Sequence, residues 1–414
     1  MSIHYKYHLE PALLDKLRKQ YYESFGPVWP DQDEFIGQAP GRIEIIGNHV
    51  DHQGGVSICG NLDKFVSCYA VTNNTDVIKF DMGDFGKCSV DINDLEKKDE
   101  EEGTSTAIIR GMCAKFAENN FRPVGFNAVT YSEIPAGVGV SSSAAFEVLV
   151  GSMLYRTTKA HIEDYVQPCL NLALAAADVE RTYYGKMCGD QDQLACAYDG
   201  IIGIEYSPEI PVVMSYDFNF RDSVSKYKFV LIDSKTDHSN CDDEYAAVPQ
   251  DMFKVAELFG EKRLIDVGEE QFYANREKVM NELGEYPTLR AEHFFEEVRR
   301  VEDVLLSLRY GTLQNFTKNL RESGQSSLKK NRNVAPSFAD ETYLPFKIYD
   351  LCEKLLADKD AAWRVHGGGF GGAILAVVPC DYCDEFVKEV NKELGDDACT
   401  VTELGVNGVW TDKL

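Results

Sequence analysis

No apolar run in this chain approaches the roughly 18 residues that a transmembrane helix needs. The opening residues, MSIHYKYHLEPALLDKLRKQ, lack the apolar stretch and small-residue cleavage site of a secretory signal. Positive charge is scarce: 42 Lys and Arg stand against 68 Asp and Glu, a formal charge of -26. Such a surface repels phosphate backbones and anionic lipid, which argues against nucleic acid and membranes as partners. It does not exclude a small anionic ligand, because a few backbone N–H groups bind phosphate without net positive charge. There is no internal repeat and no low-complexity tract. Cys380-Asp-Tyr-Cys383 is the single C-x-x-C, and a zinc site normally needs a second pair. The twelve cysteines are scattered, mostly through apolar segments, and read as free thiols of a reducing compartment. A soluble, monomeric, cytoplasmic protein is expected.

What is present suits a globular protein, with 44% hydrophobic and 27% charged residues. At 414 residues two domains are expected, 1–225 and 226–414. Pro11–Phe25 predicts an amphipathic helix, followed by a short extended piece, Glu34–Ala39, and a turn at Pro40-Gly41. Val66–Val71 and Val77–Phe80 alternate as strands do, and Asp91–Gly103 reads as a charged, solvated connection. Phe126–Ile134 reads as a strand and Ala144–Tyr155 as a helix, with a glycine- and serine-rich loop between them. A further helix, roughly Tyr165 to Tyr184, stops at Gly185. Two or three strands follow through Phe229–Ile232, then a mostly helical region from Asp243 to about Leu356. Strands return at Ala362–Val365, Ala373–Val378 and Gly408–Trp410.

Three glycine-rich stretches carry the chemistry. The pattern G-x-x-x-x-G-K-[ST] is absent. His366-Gly-Gly-Gly-Phe-Gly-Gly372 satisfies G-x-G-x-x-G in form, but a strand rather than a helix follows it, so a dinucleotide site is rejected. A tight hairpin needs fewer glycines than this, so the loop is expected to approach a ligand or another backbone closely. Pro135–Ala145 sits between a strand and a helix, where free N–H groups and the positive helix end favour phosphate. Gly137 and Gly139 would let the backbone come close; Ser141, Ser142 and Ser143 add hydroxyls, one of which can reach a magnesium ion. Simple helix capping would need one serine and no glycine. In the third stretch, Ala39–Gly55, Arg42 offers a fork of donors to a phosphoryl group or a carboxylate. Asn48, His49 and Asp51 form a polar cluster suited to sugar hydroxyls. His49 and His52 also look like metal ligands, but they lie three apart without an obvious helix. Asp190 and Asp192 are both candidates for the carboxylate that a phosphoryl acceptor requires, and either is alternatively a helix-capping charge.

Together and in this order, these stretches resemble the GHMP kinase superfamily and, within it, the galactokinases, over nearly the whole chain. The resemblance implies an α+β fold of two domains, with mixed sheets, packed helices and the active site between the domains. It implies an ATP-dependent sugar 1-kinase using Mg2+, with ATP across the serine loop. Cys188-Gly-Asp-Gln-Asp-Gln aligns with the family segment whose aspartate faces the acceptor hydroxyl, which selects Asp192 over Asp190. By the same likeness Arg42 is the basic partner of the transferred phosphoryl, and Ser143 and Glu180 hold magnesium. Tyr245 lines the sugar pocket, and Gly189 gives the sugar a backbone contact.

Departures at four positions bear on the substrate. Galactokinases mostly carry glutamate where this chain has Asn48, and tyrosine where it has His52. Loss of that glutamate makes room for a C6 carboxylate, and His49-Val-Asp-His-Gln-Gly-Gly also looks like galacturonate and arabinose kinases. Asp190 and Gln191, in place of apolar residues, add a negative charge that disfavours an anionic sugar. Galactose is the expected substrate, with galacturonate or arabinose the alternative. A non-catalytic sugar sensor is disfavoured because Ser141-Ser-Ser-Ala-Ala145, Arg42 and Asp192 are all intact.

Overall fold

A computed structural model of the chain describes residues 9–134, 139–158, 169–216, 224–236, 241–310, 312–313, 315–404 and 407–414. One sheet is built from β1 (Glu34–Ile46), β2 (Val56–Thr72), β3 (Val77–Asp81), β4 (Lys87–Asp91), β5 (Phe126–Ser132), β6 (Ile201–Glu205) and β7 (Val212–Tyr216). A second is built from β8 (Tyr227–Asp233), β9 (Ala362–Val365), β10 (Ala373–Pro379) and β11 (Cys399–Thr402). The last strand, β12 (Trp410–Lys413), returns to the first sheet. The first sheet runs β12-β1-β2-β5-β3-β4, with β6 on β2 and β7 on β6; the second runs β11-β8-β10-β9. The long β2 makes this branching possible, because Val66–Thr72 pairs with β5 while Val56–Gly60 pairs with β6.

Strand alternation assigns the faces. Phe35, Cys68, Ala70 and Ala128 point into the main core, whereas Ile36, Tyr69, Val71 and Val129 point the other way, onto α1 (Pro11–Phe25) through Leu17 and Tyr21. Helices α2 (Ser105–Glu118), α3 (Ser142–Thr158), α4 (Cys169–Val179) and α5 (Gln191–Ala197) contribute to the main core. The second sheet sends Phe229, Leu231, Leu375 and Val377 into that same core. Its other face packs under the helices Leu344–Leu356 and Cys383–Leu394. Helices between Asp242 and Arg309 form a third cluster that includes Val50 and Phe370, so they close over both the first and the last glycine-rich stretches.

The turn expected at Pro40-Gly41 is a bulge inside β1. Pro40 has no N–H to give the ladder, and the register slips between Pro40 and Arg42. The Arg42 N–H turns away from β2 and donates to the Val140 carbonyl at 3.2 Å. A side chain at Gly41 would sit 3.1 Å from that carbonyl, so glycine is what lets strand and serine loop touch. The expected strand at Gly408–Trp410 begins at Trp410 instead. Helices Ser105–Glu118 and Cys383–Leu394 and strand β11 were not anticipated.

One buried carboxylate fixes the backbone after β1. Glu297, fully buried on the helix Glu285–Arg309, accepts from the N–H groups of Gly47 (3.1 Å) and Asn48 (3.2 Å) and from Ser323 Oγ (2.6 Å). Arg300 Nε donates to its other oxygen at 2.9 Å. Burial alone would raise this carboxyl, but the charge of Arg300, followed by His293 and Arg364, brings it down from 4.5 to about 2. A carboxyl depressed in the fold adds stability above its unfolded value and loses it as pH falls through the folded value. The contribution, on the order of 3 kcal/mol, is therefore present at pH 7 and disappears from about pH 4.5 downward. Glu297→Gln should cost about 2–4 kcal/mol at pH 7. Urea unfolding at pH 7 and pH 3.5 should show the gap between variant and parent narrowing in acid; a constant gap would remove Glu297 from the acid limb.

Candidate functional site

The bulge of β1 aims Arg42 at the start of α5. Arg42 is 4% exposed and grips Asp192 with two parallel bonds, Nε to Oδ1 at 2.7 Å and Nη2 to Oδ2 at 2.8 Å. Its Nη1 donates to the Gly139 carbonyl at 2.6 Å. Ser141, at φ 57°, places its hydroxyl on Asp192 Oδ2 rather than on the N-terminus of α3. Burial would raise the Asp192 carboxyl, but the Arg42 charge and its hydrogen bonds, with that of Ser141, hold it below the ordinary carboxylate range. The carboxylate side chain is 31% exposed, so one side of it remains open.

Asp190 does not share this position. Its Oδ1 pairs with Arg181 Nη1 at 2.8 Å and makes no side-chain cap to α5. Gly189, just before it, lies against Asp51. A Cβ on Gly189 would come within 2.5 Å of Asp51 Oδ2, so a side chain there would displace the Asp51 carboxylate. Burial raises the Asp51 carboxyl and lowers His49, and each partly offsets the shift of the other. His49 Nε2 lies 2.9 Å from the Gly368 carbonyl, which can only accept, so the proton is on Nε2. The Tyr245 ring sits 5.4 Å from that of His49 and packs against Gly368. His49, Asp51, Gly189 and Tyr245 thus enclose one corner next to Asp192.

Asn48 is placed differently from its expected role on a sugar. It is 1% exposed, and its amide is fully engaged by protein. Nδ2 donates to Glu44 Oε1 (3.1 Å) and to the Gly367 carbonyl (2.7 Å), while Oδ1 accepts from Asn333 Nδ2 (2.8 Å). Glu44 is itself buried, bound by Arg364 Nη2 at 2.7 Å and by Gln191 Nε2 at 2.9 Å. A carboxylate therefore stands four residues from Asn48 along the chain and directly beside it in space, neutralised by Arg364. The glycine loop between β9 and β10 makes a close backbone approach to Asn333: Phe370 N–H donates to the Asn333 carbonyl at 2.6 Å.

At the serine loop, Gly137 lies outside the described residues, while Gly139 adopts φ 70°. Ser142 is exposed at the first turn of α3. Ser143 Oγ donates to Glu180 Oε1 at 3.3 Å. Glu180 opens a π-helical turn, Glu180–Tyr184, that continues α4 and ends at Gly185. It also accepts from Lys186 Nζ at 2.9 Å and from Gln193 Nε2 at 2.7 Å. The same Gln193 nitrogen reaches Glu147 at 2.9 Å, and burial, then the charge of Glu180, pushes the Glu147 carboxyl well above its ordinary value.

The sequence assigns no role to Glu44, Glu297, Arg364 or Lys186, and Gln193 and His366 enter it only as the last and first residues of quoted motifs. A signal existed for two of them. Glu44 interrupts Ile43–Ile46 and Arg364 stands between Trp363 and Val365; a charge inside an apolar strand demands a buried partner. Asn48→Glu should bring a second carboxylate beside Glu44 and the Gly367 carbonyl, at a cost of about 2–4 kcal/mol. Combined with Glu44→Gln, the two changes should cost at least about 1 kcal/mol less than their sum in a double-mutant unfolding cycle. Strict additivity would contradict the contact.

Comparison with known proteins matches these stretches. Residues 19–70 fit the pattern described as galactokinase galactose-binding signature, and 107–200 that of the GHMP kinases N terminal domain. Galactokinase of Haemophilus influenzae (strain PittEE) is 29% identical over 366 residues, 86% of this chain and 88% of that protein. Galactokinase of Mannheimia succiniciproducens is 27% identical over 394 residues, 92% of this chain and 93% of that protein. In fold, Lactococcus lactis galactokinase complexed with galactose superposes with TM-score 0.79 at 23% identity, covering 97% of this chain and all of that one. Methanococcus jannaschii mevalonate kinase gives 0.61 at 17% identity, covering 90% of this chain and 98% of that one.

Proposed function

Since the chain belongs to the GHMP kinases, on their galactokinase branch, we propose that it phosphorylates D-galactose on the C1 hydroxyl with ATP. The observation that carries this reading is the Arg42–Asp192 fork, which lies between the serine loop on one side and the corner of His49, Asp51, Gly189 and Tyr245 on the other. A donor nucleotide on the first and a sugar on the second would meet at Asp192.

Asp192 orients the C1 hydroxyl through its open side. Its depressed pKa makes it a reluctant proton acceptor, which suits a loose phosphoryl transfer in which the proton leaves late. Arg42 uses three of its N–H groups on Asp192 and Gly139, and its remaining donors counter charge on the transferring group. Gly139, Ser141 and Ser142 cradle the nucleotide phosphates at the N-terminus of α3. The Ser143 hydroxyl and Glu180 carboxylate are hard oxygen donors and would hold a magnesium ion. When bound, magnesium neutralises the outer phosphates. Lys186 shares Glu180 and holds that carboxylate in place. We take residues 1–225 and 226–414 as the two domains, because the sheets change between β7 and β8.

Galactose is favoured over galacturonate because Asn48 is enclosed and the nearby charges are Glu44, already matched by Arg364, and the acid Asp51. Turnover with ATP and magnesium should be fastest on galactose among galactose, galacturonate, arabinose, glucose and galactosamine. A preference for galacturonate would overturn this choice of sugar, and tight sugar binding without turnover on any of them would overturn the kinase reading. Asp192→Asn should reduce kcat by at least about 1,000-fold while nucleotide binding, followed by calorimetry, stays nearly intact. Asp192→Ala should also lower the melting temperature, since it strands the buried Arg42 charge.

A further inference from the structure

Most buried polar groups of this site have partners, and one that does not is His366 Nδ1. His366 is 4% exposed and follows β9 directly, at the entrance to the glycine loop. Its Nε2 lies 3.1 Å from the backbone N–H of Glu44, which can only donate. Nε2 must therefore be the bare, accepting nitrogen, and the proton of the neutral ring sits on Nδ1. Burial, and then the adjacent charges of Arg42 and Arg364, keep the ring from taking a second proton. The result is a neutral N–H donor with a fixed direction, whatever the pH in the working range. Left unmatched, such a buried donor costs about 1–3 kcal/mol.

Its direction is informative. The open side of Gly139, where a Cβ would project, lies 3.9 Å from Nδ1, and the carbonyl of the same Gly139 holds Arg42 Nη1 at 2.6 Å. The open side of Gly367 lies 4.0 Å from Arg42 Nη2. The His366 donor and the Arg42 guanidinium therefore both lie against Gly139, at the approach to α3. A buried donor without an acceptor, beside an arginine with N–H groups to spare, calls for an accepting oxygen.

We propose that His366 is a substrate-contacting residue whose Nδ1–H donates to an oxygen of the phosphoryl group passing between nucleotide and sugar. This rests on the kinase reading and adds a residue to it. The bond is neutral, so it contributes directed stabilisation without adding another cation next to Arg42. Glu44 serves through its backbone, since its N–H sets the tautomer that leaves the proton on Nδ1.

Two variants separate this role from a structural one. Glutamine reaches the Nε2 position and keeps an acceptor for Glu44 N–H while losing the Nδ1 donor; asparagine keeps a donor near Nδ1 and loses the acceptor. His366→Gln should lower kcat by roughly 10- to 100-fold, with little change in sugar KM or melting temperature. His366→Asn should retain kcat to within roughly three-fold of the parent, at some loss of stability. The reverse ranking would make His366 a strand anchor and overturn the proposal. Independently, titrating the 15N-labelled full chain with a non-hydrolysable ATP analogue should move the His366 Nδ1–H resonance downfield, the signal being identified by its loss in His366→Gln. Saturation of other resonances by the analogue with no movement of this one would also overturn it. Movement of the signal in a chain that turns over no sugar would uphold His366 while refuting the kinase reading.

Discussion

The bidentate pair of Arg42 and Asp192 is the constraint on which the rest of the site depends. Each partner is expensive to bury alone, and together they satisfy one another in a geometry that only planar groups provide. To make the pair, β1 must bulge at Pro40-Gly41, α5 must begin at Gln191, and Gly139 must turn its carbonyl inward. Three segments distant in sequence are thereby fixed relative to one another before any ligand arrives. Ser141, drawn onto the same carboxylate, gives up the capping role its position suggests. The strained φ of Ser141 is held by that bond and by the helix that begins one residue later.

A second tier of tethers holds the signature loop against the helical region. Glu297 binds two consecutive backbone N–H groups, at Gly47 and Asn48, and His293 Nε2 lies 2.9 Å from the Asn48 carbonyl. Asn333 then joins the Asn48 side chain to the glycine loop. Both glycine-rich loops are thus positioned by polar side chains from the helical region rather than by their own flexibility. Such a network is stable only if each member finds its partner, which is why the acid that reads the backbone carries its own arginine.

Much of this was legible in the sequence, for reasons that can be named. The helix Pro11–Phe25 and the strands Ala362–Val365 and Phe126–Ser132 follow from periodicity and punctuation, which are local. The proximity of Arg42 to a carboxylate follows from a permanent fork of donors that must be matched wherever it is buried. The orientation of Asn48 was not legible. Its environment is set by Gly367, Asn333 and Glu297, hundreds of residues away, and by Glu44, whose burial becomes known only once Arg364 is found beside it. The Pro-Gly pair read as a turn because turns are where those residues usually go; β2 supplied a ladder long enough to accommodate them as a bulge.

The charge balance explains how a chain with formal charge -26 can host a polyanion. Its cations near the site are already paired: Arg42 with Asp192, Lys186 with Glu180, Arg181 with Asp190, Arg364 with Glu44. A phosphate arriving here finds no net positive field to draw it in, and to use any of these cations it must share them with a carboxylate. On the function proposed above, recognition comes from short-range donors that carry no full charge: backbone N–H groups at the start of α3, the exposed Ser142 hydroxyl, and an imidazole held neutral by its surroundings. Such donors act only at contact distance and only in the right direction. A site of this kind gives up long-range attraction and gains discrimination by geometry.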